Sequence, residues 1–213
     1  MTDSRRNKRQ MGSAHIRATR AGDLFHYRWA ATRVLDLLDP DSELESVSVE
    51  GGSKPCPNDY IIDVEECFKT QRVVYQLKYS TMHSSQECTL SFLGGTLERF
   101  GKLYKTFKQA KDRVEYVFLT NRPMSAAVKN LFTVACEDSD ALGKINKYLQ
   151  LPNNLAKQFC QRFKIVDLVE DSKQQLRNVE CRLMALQVQK IVMMRQGLLL
   201  SLWLNGLRSR TMY

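Results

Sequence analysis

The stretch Tyr60–Ser80, YIIDVEECFKTQRVVYQLKYS, decides how this chain folds. Two apolar runs flank Lys69 and Thr70, with the length and alternation of a β-hairpin. In an antiparallel pair turning between Lys69 and Thr70, Asp63 stands opposite Gln76 and Ile61 opposite Lys78. Side chains alternate faces along a strand, so Asp63, Gln76 and Lys78 share one face within reach of one another. A slip of one residue would undo that alignment. Polar groups in apolar runs are costly to bury unless something satisfies them. Two readings follow: a half-exposed ribbon with ordinary surface residues, or a convergent site.

Outward from the hairpin, DLFHYRWAATRVLDLLDP (residues 23–40) reads as a helix. Leu24, Trp29, Ala30, Val34, Leu37 and Leu38 recur at helical spacing, Asp23 takes the N-cap position and Pro40 ends the run. ELESVSVEGG alternates Leu44, Val47 and Val49, a short strand ending at Glu50, and a Gly/Ser/Pro loop follows. Residues 89–111 read as a helix from about Leu90, broken or kinked at Gly94 and Gly95. RVEYVFLTNRP is a buried strand closing in a turn at Asn121 and Pro123. Asn121 and Arg122 are either turn residues or neighbours of a site at the strand end. Two helical regions broken at Pro152, a last strand KIVDLV and a long basic amphipathic helix or helix pair complete the chain. That helix carries a stripe of Leu176, Val179, Leu183, Leu186, Ile191 and Leu198, for packing on this domain, an oligomer interface or a junction to another domain. The order predicts a small mixed sheet flanked by helices.

Composition narrows the class. The 213 residues fit one domain able to bury a core without staples. A net charge of +9 favours an acidic partner such as nucleic acid. The six cysteines include no CxxC and the three histidines no HExxH, so neither a zinc site nor a disulfide framework is expected. The basic N-terminus lacks the apolar core of a secretory signal. The longest apolar run near the C-terminus is well short of the roughly 20 residues that span a bilayer. A soluble cytoplasmic protein is expected. Residues 1–20 read as a basic flexible arm, either a solubilising tail or a phosphate contact.

As a site, the hairpin face has a definite chemistry. A carboxylate and an amide carbonyl are hard oxygen ligands suited to Mg²⁺ or Mn²⁺. A lysine beside them orients the attacking water and offsets charge on a phosphoryl transition state. Glu50, ending the preceding strand, offers a second carboxylate. Asp63, Gln76, Lys78 and Glu50 are therefore the candidate catalytic residues, with Asp63, Gln76 and Glu50 as metal ligands. Arg28, Lys54, Lys102 and Lys105 are candidate DNA contacts, with Arg99, Lys108 and other cations nearby.

The Asp63…Gln76-Leu77-Lys78 arrangement resembles the PD-(D/E)xK nuclease core, with QLK in place of ExK. GDLFHYRWAATRVLDLL, VEG, IIDVEE, VVYQLKYS and VFLTNRP together resemble the double-stranded DNA endonuclease domain of bacterial antiphage systems, over about residues 20–170. The likeness is to the CD-NTase-associated endonucleases that carry a SAVED sensor, and to nucleases linked to STAND-type or HerA-type ATPases. It implies a restriction-endonuclease-like α/β core at residues 21–170 and a helical extension at 171–213. It makes Asp63 and Gln76 metal ligands, Lys78 the catalytic lysine and Glu50 the upstream acid. Asp23, at the matching helix start, is a further candidate ligand beside its N-cap role. The function implied is Mg²⁺-dependent hydrolysis of double-stranded DNA, by a homo-oligomer or with a sensor or ATPase subunit. The uncharged Gln76 lowers the site's pull on a cation, so the scissile phosphate is expected to complete the coordination. The alternatives are a non-catalytic nucleic-acid-binding module on a degenerate core and a scaffold assembling through its C-terminal helix.

Overall fold

The computed structural model describes residues 3–50, 62–107, 113–171 and 173–190, with side chains from residue 20 onward. Helix α1 (Asp3–Asp36) precedes strands β1 (Leu44–Val49), β2 (Val64–Phe68) and β3 (Gln71–Lys78). Helix α2 (Leu90–Phe107), strand β4 (Arg113–Thr120), helices α3 (Ala126–Val134), α4 (Ser139–Leu149) and α5 (Asn153–Arg162), and strand β5 (Phe163–Val166) follow. A sixth helix, α6, covers residues 173–190. The five strands form one mixed sheet in sequence order, antiparallel from β1 to β3 and parallel from β3 to β5.

The hairpin register is the one its sequence predicts: Val64 pairs with Tyr75, Glu65 with Val74, Glu66 with Val73 and Cys67 with Arg72. Asp63 sits one residue before β2, held by its N–H on the Tyr75 carbonyl at 3.2 Å. Tyr60 and Ile61, read as the start of this strand, lie outside the described residues. The uneven spacing of Leu44, Val47 and Val49 has a physical cause. Pairing shifts between Leu44 and Ser46, a bulge that takes up one residue and lets all three face inward.

Two apolar cores lie on the two faces of the sheet. One joins Val74 and Phe118 to Leu93, Leu97, Phe100 and Leu103 of α2 and to Phe159 of α5. The other joins Val64, Leu77 and Leu119 to Phe25 and Ala30 of α1, with Trp29 packed against it. The α1 stripe is therefore rotated from the one its sequence suggests. Leu24, Val34 and Leu38 are exposed, whereas Phe25, Ala30 and Leu35 are buried.

Residues 3–20 differ from the expected arm, because α1 runs from Asp3 to Asp36 without a break. The segment carries five Arg and two Ala, good helix formers, and has no proline. Asp23 consequently lies inside the helix and caps nothing. Gly94 and Gly95 do not interrupt α2 either. Gly94 and Gly101 instead let α4 approach: a Cβ at Gly94 would stand 2.6 Å from the Tyr148 ring, and one at Gly101 2.2 Å from the Leu149 carbonyl oxygen.

Buried charges on both faces of the sheet are paired, Glu66 beneath α1 and Glu65 on the α2 side. Glu66, with no exposure, accepts from Arg33 and, at 2.8 Å, from the Tyr75 hydroxyl. Glu65 accepts from Arg72. Helix α6 is joined to α1 by Arg182, which donates to the Thr32 carbonyl at 2.9 Å and pairs with Asp36. The expected apolar stripe is only partly buried, with Leu176 and Leu183 exposed, and Ile191 and Leu198 lie outside the described residues. Among the described residues, no helix is long and apolar enough to cross a membrane.

Candidate active site

Asp63 and Gln76 meet. The register that pairs Val64 with Tyr75 carries both side chains to the α2 face of the sheet. Both residues are buried, and Gln76 donates its amide N–H to Asp63 Oδ2. The Leu77 backbone N–H donates to the same oxygen at 2.6 Å. Among the described residues no hydrogen bond reaches Asp63 Oδ1. Helix α2 lies over the pair, and Arg99 Nη1 donates to Gln76 Oε1 at 3.4 Å. On the opposite face His26 of α1 donates from Nε2 to the Leu77 carbonyl at 3.2 Å. Leu77 is thus gripped from both sides, its N–H by Asp63 and its C=O by His26.

Lys78 follows at the end of β3, on the face of Gln76 and exposed. Glu50 is tied to Asp63 through the backbone, its N–H on the Asp63 carbonyl at 3.0 Å. Its side chain goes elsewhere: Glu50 has a left-handed backbone, φ 51°, and its carboxylate accepts from the Tyr27 hydroxyl of α1 at 3.2 Å. Among the described residues no three His, Cys, Asp or Glu side chains gather in a metal-binding cluster. Arg28 lies on α1, and exposed Lys102 and Lys105 lie on α2. Lys102 pairs with Glu98 at 2.8 Å. Lys54 lies outside the described residues.

Asn121 and Arg122 have structural work. Asn121 bonds the Ser80 backbone through both its amide oxygen and nitrogen, each at 2.9 Å. Arg122 donates to the Gln86 and Glu87 carbonyls and lies over the Phe92 ring. Together they pin the loop that leaves the site. His26 is a neighbour of the pair to which sequence alone gave no role, and Arg99, read there only as one of several nearby cations, lies against Gln76 itself. Each touches the site through a contact between distant elements, which no local spacing reveals.

Burial pushes the Asp63 carboxyl above its ordinary value of 3.8. The His26 and Lys78 charges, the Leu77 N–H and the Gln76 amide pull the other way without cancelling it. The folded chain therefore holds the Asp63 proton more tightly than the unfolded chain does. Stability from this group is full below the unfolded value and falls as pH rises through the folded one. Asp63→Asn removes that cost while its amide oxygen still accepts from Leu77. The variant is expected to melt above wild type near neutral pH, with the gap closing in acid. Thermal unfolding across that range checks this, and a variant melting below wild type at neutral pH would refute it.

The donor set fits a hard divalent cation. A buried carboxylate with one oxygen fixed by two N–H groups presents its other oxygen for a positive ligand, beside a carboxamide that can turn its oxygen the same way. That turn would exchange the Gln76–Asp63 hydrogen bond for two oxygens facing one point.

No family model matches this chain, and no curated protein matches it. Among solved structures, it is similar to the Acinetobacter baumannii Cap4 SAVED/CARF-domain containing receptor with the cyclic trinucleotide 2'3'3'-cAAA, at 16% identity and TM-score 0.40. It is similar to the same receptor with 3'3'3'-cAAA at 13% identity and TM-score 0.38. Each match covers 71% of this chain and 33% or 36% of the receptor, so the chain spans about a third of the receptor's length.

Proposed function

We propose that this protein is a Mg²⁺-dependent endonuclease that hydrolyses double-stranded DNA on the hairpin face, with a PD-(D/E)xK type of site. The observation that carries the reading is Asp63: a buried carboxylate with Oδ2 held by Gln76 and Leu77, next to a carboxamide and two residues from an exposed lysine on the same face. Asp63 Oδ1 and the Gln76 carboxamide oxygen would hold the cation. When bound, Mg²⁺ or Mn²⁺ supplies positive charge at the scissile phosphate and acidifies water. The Leu77 N–H would keep Asp63 Oδ2 oriented when Gln76 turns its oxygen to the cation, a turn that also gives up the Arg99 Nη1 contact to Gln76 Oε1. Lys78 places its ammonium beside the phosphate, where it orients the nucleophile and offsets the charge that develops. A water oxygen would bond to phosphorus as the P–O3′ bond breaks, with a proton passing to O3′, leaving a 3′-hydroxyl and a 5′-phosphate. Exposed Lys102 and Lys105 on the overlying helix suit non-specific phosphate contact.

The sequence resemblance sets this activity in antiphage defence, as an effector restrained until a sensor or self-assembly activates it. The test is plasmid cleavage with Mg²⁺ or EDTA over a range of protein concentrations, for wild type and Asp63→Asn. Metal-dependent cleavage lost in the variant is expected. Cleavage surviving either EDTA or the substitution would overturn the site. One observation favours a second reading. The Glu50 carboxylate is engaged by Tyr27, and among the described residues no cluster of three possible metal ligands forms at the pair. A DNA-binding module without chemistry would bind DNA in a salt-dependent way and cleave none at any concentration.

A further inference from the structure

Gln76 is only 2% exposed, and its carboxamide is held at both ends. Nε2 donates to Asp63 Oδ2, and Oε1 accepts from Arg99 Nη1 of α2 at 3.4 Å. The two partners demand the same orientation. An ionised carboxylate only accepts and a guanidinium only donates, so the NH₂ faces Asp63 and the oxygen faces α2. Asp63 stays in place meanwhile, because the Leu77 N–H fixes its Oδ2 at 2.6 Å.

This orientation is the wrong one for a cation. It presents the positive end of the amide dipole to Asp63. For its oxygen to reach a cation at Asp63 Oδ1, the carboxamide has to turn over. Its NH₂ then meets the Arg99 guanidinium, donor against donor. Arg99 therefore opposes the turn for as long as it stays on Gln76. The hold is weak enough to be exchanged: Arg99 is exposed on α2, and its bond to Gln76 is long. A phosphate takes a guanidinium by two parallel charge-assisted hydrogen bonds, which a neutral carboxamide oxygen does not match.

We propose that Arg99 is a latch that couples cation loading to DNA binding. Without DNA it holds the Gln76 oxygen away from Asp63. A backbone phosphate of bound DNA draws the guanidinium off, and Gln76 turns its oxygen to the cation. Arg99 is thus a positioning residue, acting on the cation through Gln76. This role rests on the metal-dependent nuclease reading above and extends it to the order of loading. Coupling of this kind is reciprocal: the cation tightens DNA binding by the same factor as DNA tightens cation binding.

The test measures Mn²⁺ binding to the whole chain without DNA, from the loss of the free-ion electron paramagnetic resonance signal, for wild type, Arg99→Met and Asp63→Asn. Arg99 is exposed, so its truncation leaves both cores intact. Arg99→Met should bind Mn²⁺ about three- to tenfold more tightly than wild type, the range for releasing one hydrogen bond. Asp63→Asn should lose that binding. Arg99→Met also removes a positive charge, but a gain from charge alone at an exposed residue fades between about 0.1 M and about 0.5 M salt, whereas the latch gain persists. The second readout is binding of a labelled DNA duplex in EDTA or in Ca²⁺. Ca²⁺ should tighten it at least about fivefold in wild type and by a smaller factor in Arg99→Met. An Arg99→Met protein with wild-type Mn²⁺ affinity, a gain lost at high salt, or an equal Ca²⁺ effect on DNA binding would each overturn the latch. If Mn²⁺ binding still depends on Asp63 in such a case, the metal site stands without the latch. If neither wild type nor Arg99→Met binds Mn²⁺ through Asp63, both fall.

Discussion

Lys78→Ala is expected to bind double-stranded DNA nearly as wild type does and to cleave it about 10²–10³-fold more slowly, the range for removing one preorganised transition-state charge. That corresponds to about 2.7–4 kcal/mol of barrier. The effect belongs to chemistry because Lys78 is exposed at the end of β3, past the buried Gln76 and Leu77. Truncating an exposed side chain there leaves both cores intact, so the melting temperature should stay within about 2 °C of wild type. DNA affinity should fall little, because the basic surface of α2 is untouched. The measurement is single-turnover cleavage with Mg²⁺, alongside DNA binding in EDTA and thermal unfolding. Lys78→Arg keeps the charge but moves it, so it should recover only part of the rate. A Lys78→Ala protein that cleaves at the wild-type rate would remove the hairpin face from consideration. A protein that neither binds nor melts normally would place Lys78 in the fold instead.

Gly101→Ala is expected to destabilise the chain by about 3 kcal/mol, the upper end of the overpacking range. A Cβ there would stand 2.2 Å from the Leu149 carbonyl oxygen and 3.0 Å from its carbon. Both are backbone atoms, so no rotamer change relieves the clash. Leu149 cannot retreat easily, because it ends α4 with its side chain buried in the core. The next residue, Gln150, is fixed in a left-handed turn by its N–H on the Asn146 carbonyl at 2.9 Å. Alanine's better helix propensity, about 1 kcal/mol over glycine, is outweighed. At 2–4 °C per kcal/mol for chains of this size, the melting temperature should drop by about 6–12 °C. Gly95→Ala supplies the contrast, since nothing lies within 4 Å of a Cβ there. It should stabilise by up to about 1 kcal/mol. Equal melting temperatures for the two variants would show that α2 and α4 do not approach as closely as described.

The hairpin was legible because its information is local. A two-residue connection and period-two alternation fix which residues face each other, and the pairing from Val64 with Tyr75 to Cys67 with Arg72 follows the predicted register. The mixed sheet, the break at Pro152 and the short final strand were legible for the same reason. The glycines of α2 were misread, because a helical glycine that weakens a lone helix can be the one residue that admits a neighbour. Only the packing of α4 shows which it is. The α1 stripe was misread in phase, since apolar residues lie almost all round that helix and only the sheet selects Phe25 and Ala30.

The sequence by itself determined that Asp63 and Gln76 would meet, since register and alternation leave them no other faces. It placed Lys78 two residues on, at the same face. Tertiary structure alone decided the rest. It sent the Glu50 carboxylate to Tyr27, and turned Arg99 onto Gln76 and His26 onto the Leu77 carbonyl. The physical reason is range. Strand pairing is written in neighbouring residues, whereas a contact between a helix and a strand 23 or 51 positions away depends on how whole elements pack.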